Sequence, residues 1–201
     1  MKAKIYIEGG GTTNALKTRC REGFRRLLEK SGLKKSMPKL VACGSREEAF
    51  DKFQHAHGAE GNGHFIALMV DSEEPMKDKE KPWDHLKTSD GWDRPKNAND
   101  HQVLFMTTCM ETWIVCDRKA LRNHFGQCLR ENSLPALHNL ESRSRDEVQK
   151  KLTDATRDCG NRKQYAKDKK SFEILGKLDP ETLREHLPSF QRCERILKEK
   201  Q

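Results

Sequence analysis

No stretch of this chain approaches the ~18 consecutive apolar residues of a membrane span, and the segment ahead of Glu8 is too short for a secretory h-region. The expectation is a cytosolic protein with no membrane contact. The cysteines at 20, 43, 109, 116, 128, 159 and 193 are odd in number and include no CxxC pair. Zinc sites usually show close pairs and disulfide frameworks crowd into shorter secreted chains, so reduced, mostly structural thiols are expected. The eight histidines form no HExxH, and His55 and His57 are not spaced as helix-facing partners, which removes the other common zinc pattern. Gly9-Gly10-Gly11 lacks both the Gly-Lys-Ser/Thr ending of a P-loop and the completed GxGxxG of a dinucleotide fingerprint. No internal repeat and no low-complexity tract is present.

What is there is enough for one domain with an appendage: 201 residues bury a core that needs no staples. The net charge of +8 is unevenly spread. Residues 1–117 hold 19 Lys+Arg against 18 Asp+Glu, whereas residues 118–201 hold 20 against 13. Clustered cations gain from phosphates through counterion release, so the C-terminal excess points to a polyanion, nucleic acid being the commonest. The competing explanation is a solvated helical surface rich in ion pairs.

Hydrophobic patterning alternates strand and helix. Residues 1–7 and 64–70 have the length and composition of buried strands, and 38–43 and 101–106 read as two more. Thr12-Thr13-Asn14 offers N-caps for a helix to about residue 30, with Leu16, Cys20, Phe24, Leu27 and Leu28 at helical spacing. Ser45 opens a helix over 46–57, with Glu48 placed for a capping box. An apolar helix over 110–125 is interrupted or capped near Asp117, and further helices are expected over 145–156, 169–176, 180–186 and 189–200. Residues 72–100 read as a long loop that docks through Trp83, Leu86 and Trp92. The fold class expected is α/β: a mostly parallel four-stranded sheet flanked by helices over 1–125, with a basic helical extension over 126–201 packed on it.

Two strands end abruptly in acid, at Glu8 and at Asp71-Ser72-Glu73. The carboxyl end of a parallel sheet is where open α/β folds bind ligands. Three carboxylates gathered there repel one another unless a divalent cation or a proton shares the site. Glu8 beside glycines serves as a general base or metal ligand, or else caps the first helix. Asp71 and Glu73, alternate residues at a strand end, can ligate one Mg²⁺, or else open a solvated acidic loop. Glu111 sits in a strongly apolar segment and calls for a partner, a metal or a salt bridge to Arg46. Arg46, at the same edge, can contact phosphate or orient a carboxylate, and Lys167, in a basic run over 162–170, can supply a cation to a phosphate or lie in solvent.

Ile5-Tyr6-Ile7-Glu8-Gly9-Gly10 resembles the opening of Toprim domains, and Leu68-Met69-Val70-Asp71-Ser72-Glu73 resembles their Asp-x-Asp strand end. Together with Cys43-Gly44-Ser45-Arg46, Met110-Glu111-Thr112-Trp113, Tyr165-Ala166-Lys167 and Leu178-Asp179-Pro180, they are similar to a bacterial Toprim-like family described as domain of unknown function 4276. The resemblance extends to Toprim nucleases of the overcoming-lysogenization-defect type. The resemblance covers nearly the whole chain, and departs from the Toprim pattern in placing Glu73 where a second aspartate is common. It implies a catalytic glutamate at Glu8, Mg²⁺ or Mn²⁺ ligation by Asp71 and Glu73, and a metal-dependent nuclease cutting DNA or RNA as the effector of an anti-phage defence system. Glu111 is expected to complete the acidic cluster, with Arg46 and Lys167 as cations beside it. An ATPase encoded nearby and a second copy of the chain are the protein partners it suggests. Neither Tyr6 nor Tyr165 is placed as a topoisomerase nucleophile. The alternative is a non-catalytic Toprim-like subunit that binds and regulates an ATPase, with Trp83 and Trp92 on its docking surface.

Overall fold

The computed structural model describes residues 2–60, 63–160, 164–167 and 169–200. Four parallel strands form one sheet in the order β2-β1-β3-β4, with β1 Lys2–Glu8, β2 Lys39–Gly44, β3 His64–Asp71 and β4 Val103–Met106. The order follows from the crossovers: α1 Asn14–Leu28 leads from β1 to β2, and α2 Arg46–Glu60 leads from β2 to β3 on the far side of β1. The expected strand–helix alternation and parallel pairing are therefore present. The carboxyl ends of β1 and β3, where the acids sit, are neighbours.

Each central strand splits its side chains between two cores with the period of two that a pleated sheet imposes. Ile5, Ile7, Ala67, Met69, Leu104 and Met106 face one core, while Tyr6, Ile66, Leu68, Val70, Val103 and Phe105 face the other. The first core is covered by α1 through Cys20, Phe24, Leu27 and Leu28, and the second by α2 through Ala49, Phe50, Phe53 and Ala56. Thr13 caps α1, its hydroxyl accepting from the Leu16 N–H at 3.3 Å, and Ser45 caps α2 by accepting from the Glu48 N–H at 3.1 Å. The Glu48 side chain turns to Lys52 at 3.1 Å, so the capping box is half made.

The stretch over 72–100 departs from the expected loop. It contains α3, Pro82–Asp90, which begins with proline at its first turn and ends at Gly91 in the left-handed conformation (φ 71°). Both are ordinary helix punctuation. Trp83 and Leu86, three apart on one face, are buried in the second core, and Trp92 stacks on Phe50 at 4.0 Å between ring centroids. Both tryptophans meet the protein's own α2, Trp83 buried and Trp92 half-buried.

After β4 come α4 Met110–Cys116 and α5 Arg118–Phe125, separated at Asp117, whose carboxylate accepts from the Ala120 N–H at 2.8 Å. α6 Arg145–Ala155, α7 Lys169–Leu175, α8 Pro180–His186 and α9 Pro188–Glu199 complete the chain. Leu152, Ile174, Leu183 and Ile196 from these helices share the first core with Ile5. Gly23 lets α1 and α7 touch: a Cβ there would stand 2.5 Å from the Phe172 carbonyl oxygen. Cys128 and Cys159 are disulfide-bonded, against the expectation of reduced thiols throughout, while the other five cysteines are free and buried. They lie 31 residues apart and are brought to a Cα separation of 5.0 Å by two short turns, Gly126–Cys128 and Arg157–Cys159. Pair spacing along a chain carries no trace of such proximity. Among the described residues no helix is long and apolar enough to cross a membrane.

Candidate metal centre at the sheet edge

Glu8 is the last residue of β1 and Asp71 the last of β3. Glu8, Asp71 and Glu73 each offer a carboxylate oxygen, and these oxygens lie within 4.8 Å of one another. The three are delivered by different means. Asp71 continues the face of Phe65, Ala67 and Met69, so it points toward α4, where its Oδ1 accepts from the Met110 N–H at 2.8 Å. Glu8 lies beyond an irregularity in the β1–β2 register and is tied to Asp71 directly, its Oε2 accepting from the Asp71 N–H at 3.1 Å. Glu73 is not carried by strand alternation, for β3 has ended and the residue takes a left-handed backbone (φ 65°), its N–H donating to the Thr108 carbonyl at 2.9 Å. The expected acidic pair thus converges through a turn.

Each acid has its own cation. Arg46 Nη1 approaches Glu8 Oε2 at 3.4 Å, Lys167 Nζ approaches Asp71 Oδ2 at 3.5 Å, and Arg145 pairs with Glu73. Asp71 is 3% exposed. Burial first, and then the Glu8 carboxylate, push its carboxyl up to about 7; Lys167 opposes the rise and Glu111 adds to it. Desolvation on its own disfavours the charge on Lys167, yet Asp71 and Glu111 outweigh it and hold the ammonium above its ordinary pKa.

Arg46 is held on several sides. Its Nε and Nη2 form a fork on Asp90 at 2.6 and 2.9 Å, Nη1 also donates to the Asp71 carbonyl, and the guanidinium lies 5.1 Å from the Trp92 ring centroid. Burial alone would raise the Asp90 carboxyl, but its bonds from Arg46 and Ser89 hold it below the usual range. Asp90, from α3, and Arg145, from α6, are site residues that sequence reading does not supply, because each meets its partner only through the fold.

Glu111 stands apart from the triad. It is fully buried in the first turn of α4, where its Oε1 accepts from the Tyr165 hydroxyl at 2.8 Å and its Oε2 from the Gln149 amide at 3.3 Å. Lys167 Nζ, 3.9 Å away, links it to Asp71. Burial, followed by the Glu111 charge and hydrogen bond, pushes the Tyr165 phenol well above its usual pKa. Residues 162–163 and 168 of the basic run lie outside the described residues.

A cleft of about 260 Å³ opens beside the acids, rimmed by Gly9, Gly10 and Gly11. Gly10 has φ 86°, and a Cβ there would come within 2.8 Å of the Lys17 Cα, so only glycine lets the chain turn into α1 at this point.

The model of one family, Domain of unknown function (DUF4276), matches residues 7–198, and the chain belongs to that family. Comparison with curated proteins and with solved structures yields no match.

Proposed function

We propose that this member of the DUF4276 family is a metal-dependent phosphodiesterase of the nuclease type, with Glu8, Asp71 and Glu73 holding Mg²⁺ or Mn²⁺ and DNA or RNA as substrate. The observation that carries the reading is the convergence of three carboxylate oxygens within 4.8 Å at the carboxyl edge of a parallel sheet, with Glu8 and Asp71 lining a cleft. The donor set fits such an ion: all ligand atoms are hard oxygens, and a cation bound at ~2.0–2.6 Å spans oxygens up to about 5 Å apart. The all-parallel sheet with helices on both faces agrees with a Toprim-like domain.

When bound, the cation would polarise a phosphoryl oxygen and lower the pKa of a water. The chain's own groups do the rest. The Met110 N–H holds Asp71 Oδ1 in place, and the Asp71 N–H and Arg46 both engage Glu8 Oε2, so Oε1 is the atom Glu8 has for a metal or an attacking water. Lys167, half-exposed and kept protonated, is a cation able to turn from Asp71 toward a phosphate oxygen as negative charge accumulates there. Arg46 acts one step back, by fixing Glu8. The basic excess over 118–201 supports a polyanionic substrate. Any ATP-driven step would come from a separate ATPase chain, since Gly9-Gly10-Gly11 forms no P-loop.

The test is cleavage of DNA and RNA by the purified protein with Mg²⁺ or Mn²⁺, repeated for Asp71→Asn and Glu8→Gln. Cutting by the wild type, reduced at least about a hundredfold in both folded variants, is expected. A wild type that cuts no substrate, alone or with any ATPase encoded nearby, overturns the reading.

A further inference from the structure

The cleft beside the acids is chemically two-sided. Glu8 and Asp71 line it together with Leu16, Met106, Met110 and Phe172. A phosphate and its metal have no use for an apolar wall. A nucleobase does: its flat π-face gains from contact with thioethers, aliphatic carbons and a phenyl ring, and every base presents such a face. Leu16 is the accessible part of this wall, half-buried on the first turn of α1, while Met106, Met110 and Phe172 stand behind it, almost wholly buried.

Size limits the occupant. The cleft, at about 260 Å³, falls below the roughly 300–1,000 Å³ of pockets that enclose a whole drug-sized ligand. One base fits such a space and a base pair does not. A base within a duplex is stacked and paired, and entry would require its extrusion.

We infer that the apolar side of the cleft receives one unpaired nucleobase next to the scissile phosphate, so that the substrate of the phosphodiesterase proposed above is a single strand and not a duplex. The inference rests on that reading for the chemistry, but the binding it describes does not need the metal. Of the polar side chains on the lining, Glu8, Asp71 and Lys167 form its charged side, and Ser171 beside the apolar wall is hydrogen-bonded to Tyr165, so binding works by stacking and is tolerant of base identity.

The experiment is fluorescence anisotropy with a labelled 20-nucleotide DNA strand, and with the same strand annealed to its complement, on metal-free Asp71→Asn protein. Expected is binding of the single strand at least tenfold tighter than of the duplex, with the preference lost in Leu16→Asn, which makes the wall polar without adding charge, and in Leu16→Glu, which charges it. Circular dichroism and Mn²⁺ binding measured by electron paramagnetic resonance, both in the Asp71-intact background, are expected to be unchanged by either Leu16 substitution. Equal or tighter binding of the duplex overturns the inference, as does single-strand binding untouched in both folded Leu16 variants. Failure of the phosphodiesterase reading shows itself separately, as an absence of Mn²⁺ binding and of cleavage in the wild type.

Discussion

Asp71 and Glu111 are both buried carboxylates, and both lie beside Lys167; yet they differ in what surrounds them. Glu111 has each oxygen taken by a neutral donor of the protein, Tyr165 on one and Gln149 on the other. Asp71 has one oxygen on a backbone N–H and the other on a half-exposed ammonium, with two further carboxylates within ligand distance and a cleft in front. A buried acid whose lone pairs are satisfied by neutral donors gains little from a cation, whereas one held among like charges is relieved by a proton or a cation. Burial by itself does not distinguish them.

The contrast is most sharply probed by metal. Mn²⁺ at a hundredfold excess over its Kd should raise the unfolding free energy by about 2.7 kcal/mol, followed as an upward shift in Tm. The shift should vanish in Asp71→Asn and persist in Glu111→Gln. Loss in both variants alike would merge the two sites into one. Next in size, Glu111→Ala should destabilise the protein by about 1–3 kcal/mol in urea unfolding, since the Tyr165 hydroxyl and Gln149 amide lose their acceptor. Glu111→Gln should recover part of this by keeping an oxygen for Tyr165, and the Mn²⁺ affinity of both should stay at the wild-type value. The smallest of the expected changes is that of Asp90→Ala, about tenfold in Mn²⁺ affinity, because it acts on Glu8 only through the freed Arg46. Asp90→Glu, which can remake the fork on Arg46, should restore affinity, an outcome that a general loss of packing would not permit. Isothermal titration of Mn²⁺ into the variants provides the measurement.

Much of the scaffold was legible before folding. The β-strand over 64–70, the break at Asp117, and the helix at Pro180–His186 follow from apolar runs, an acid placed as a cap, and a proline at a first turn. Glu8, Asp71 and Glu73 stand together as their strand-end positions suggest, although Glu73 arrives by a left-handed turn and not by β-pleat alternation. The helix Pro82–Asp90 was obscured because its polar residues outnumber its buried face, which consists of little more than Trp83 and Leu86; the flanking Pro82 and Gly91 were the available signal. The Cys128–Cys159 bond, the Asp90 fork on Arg46 and the Arg145–Glu73 pair had no local signal, since each joins segments that are separate in sequence.

What this sequence determined by itself is a layered α/β chain with acids at the ends of two strands, because side-chain period and capping chemistry act over a few neighbouring residues. Only the tertiary structure decided which acids share a site. Strand order set β1 beside β3 and so Glu8 beside Asp71, while the packing of α4 and α6 with the segment carrying Tyr165 gave Glu111 neutral donors on both oxygens and left Lys167 as its link to Asp71. Whether a carboxylate meets a hydroxyl or a second carboxylate is settled by contacts between distant segments, which no local pattern encodes.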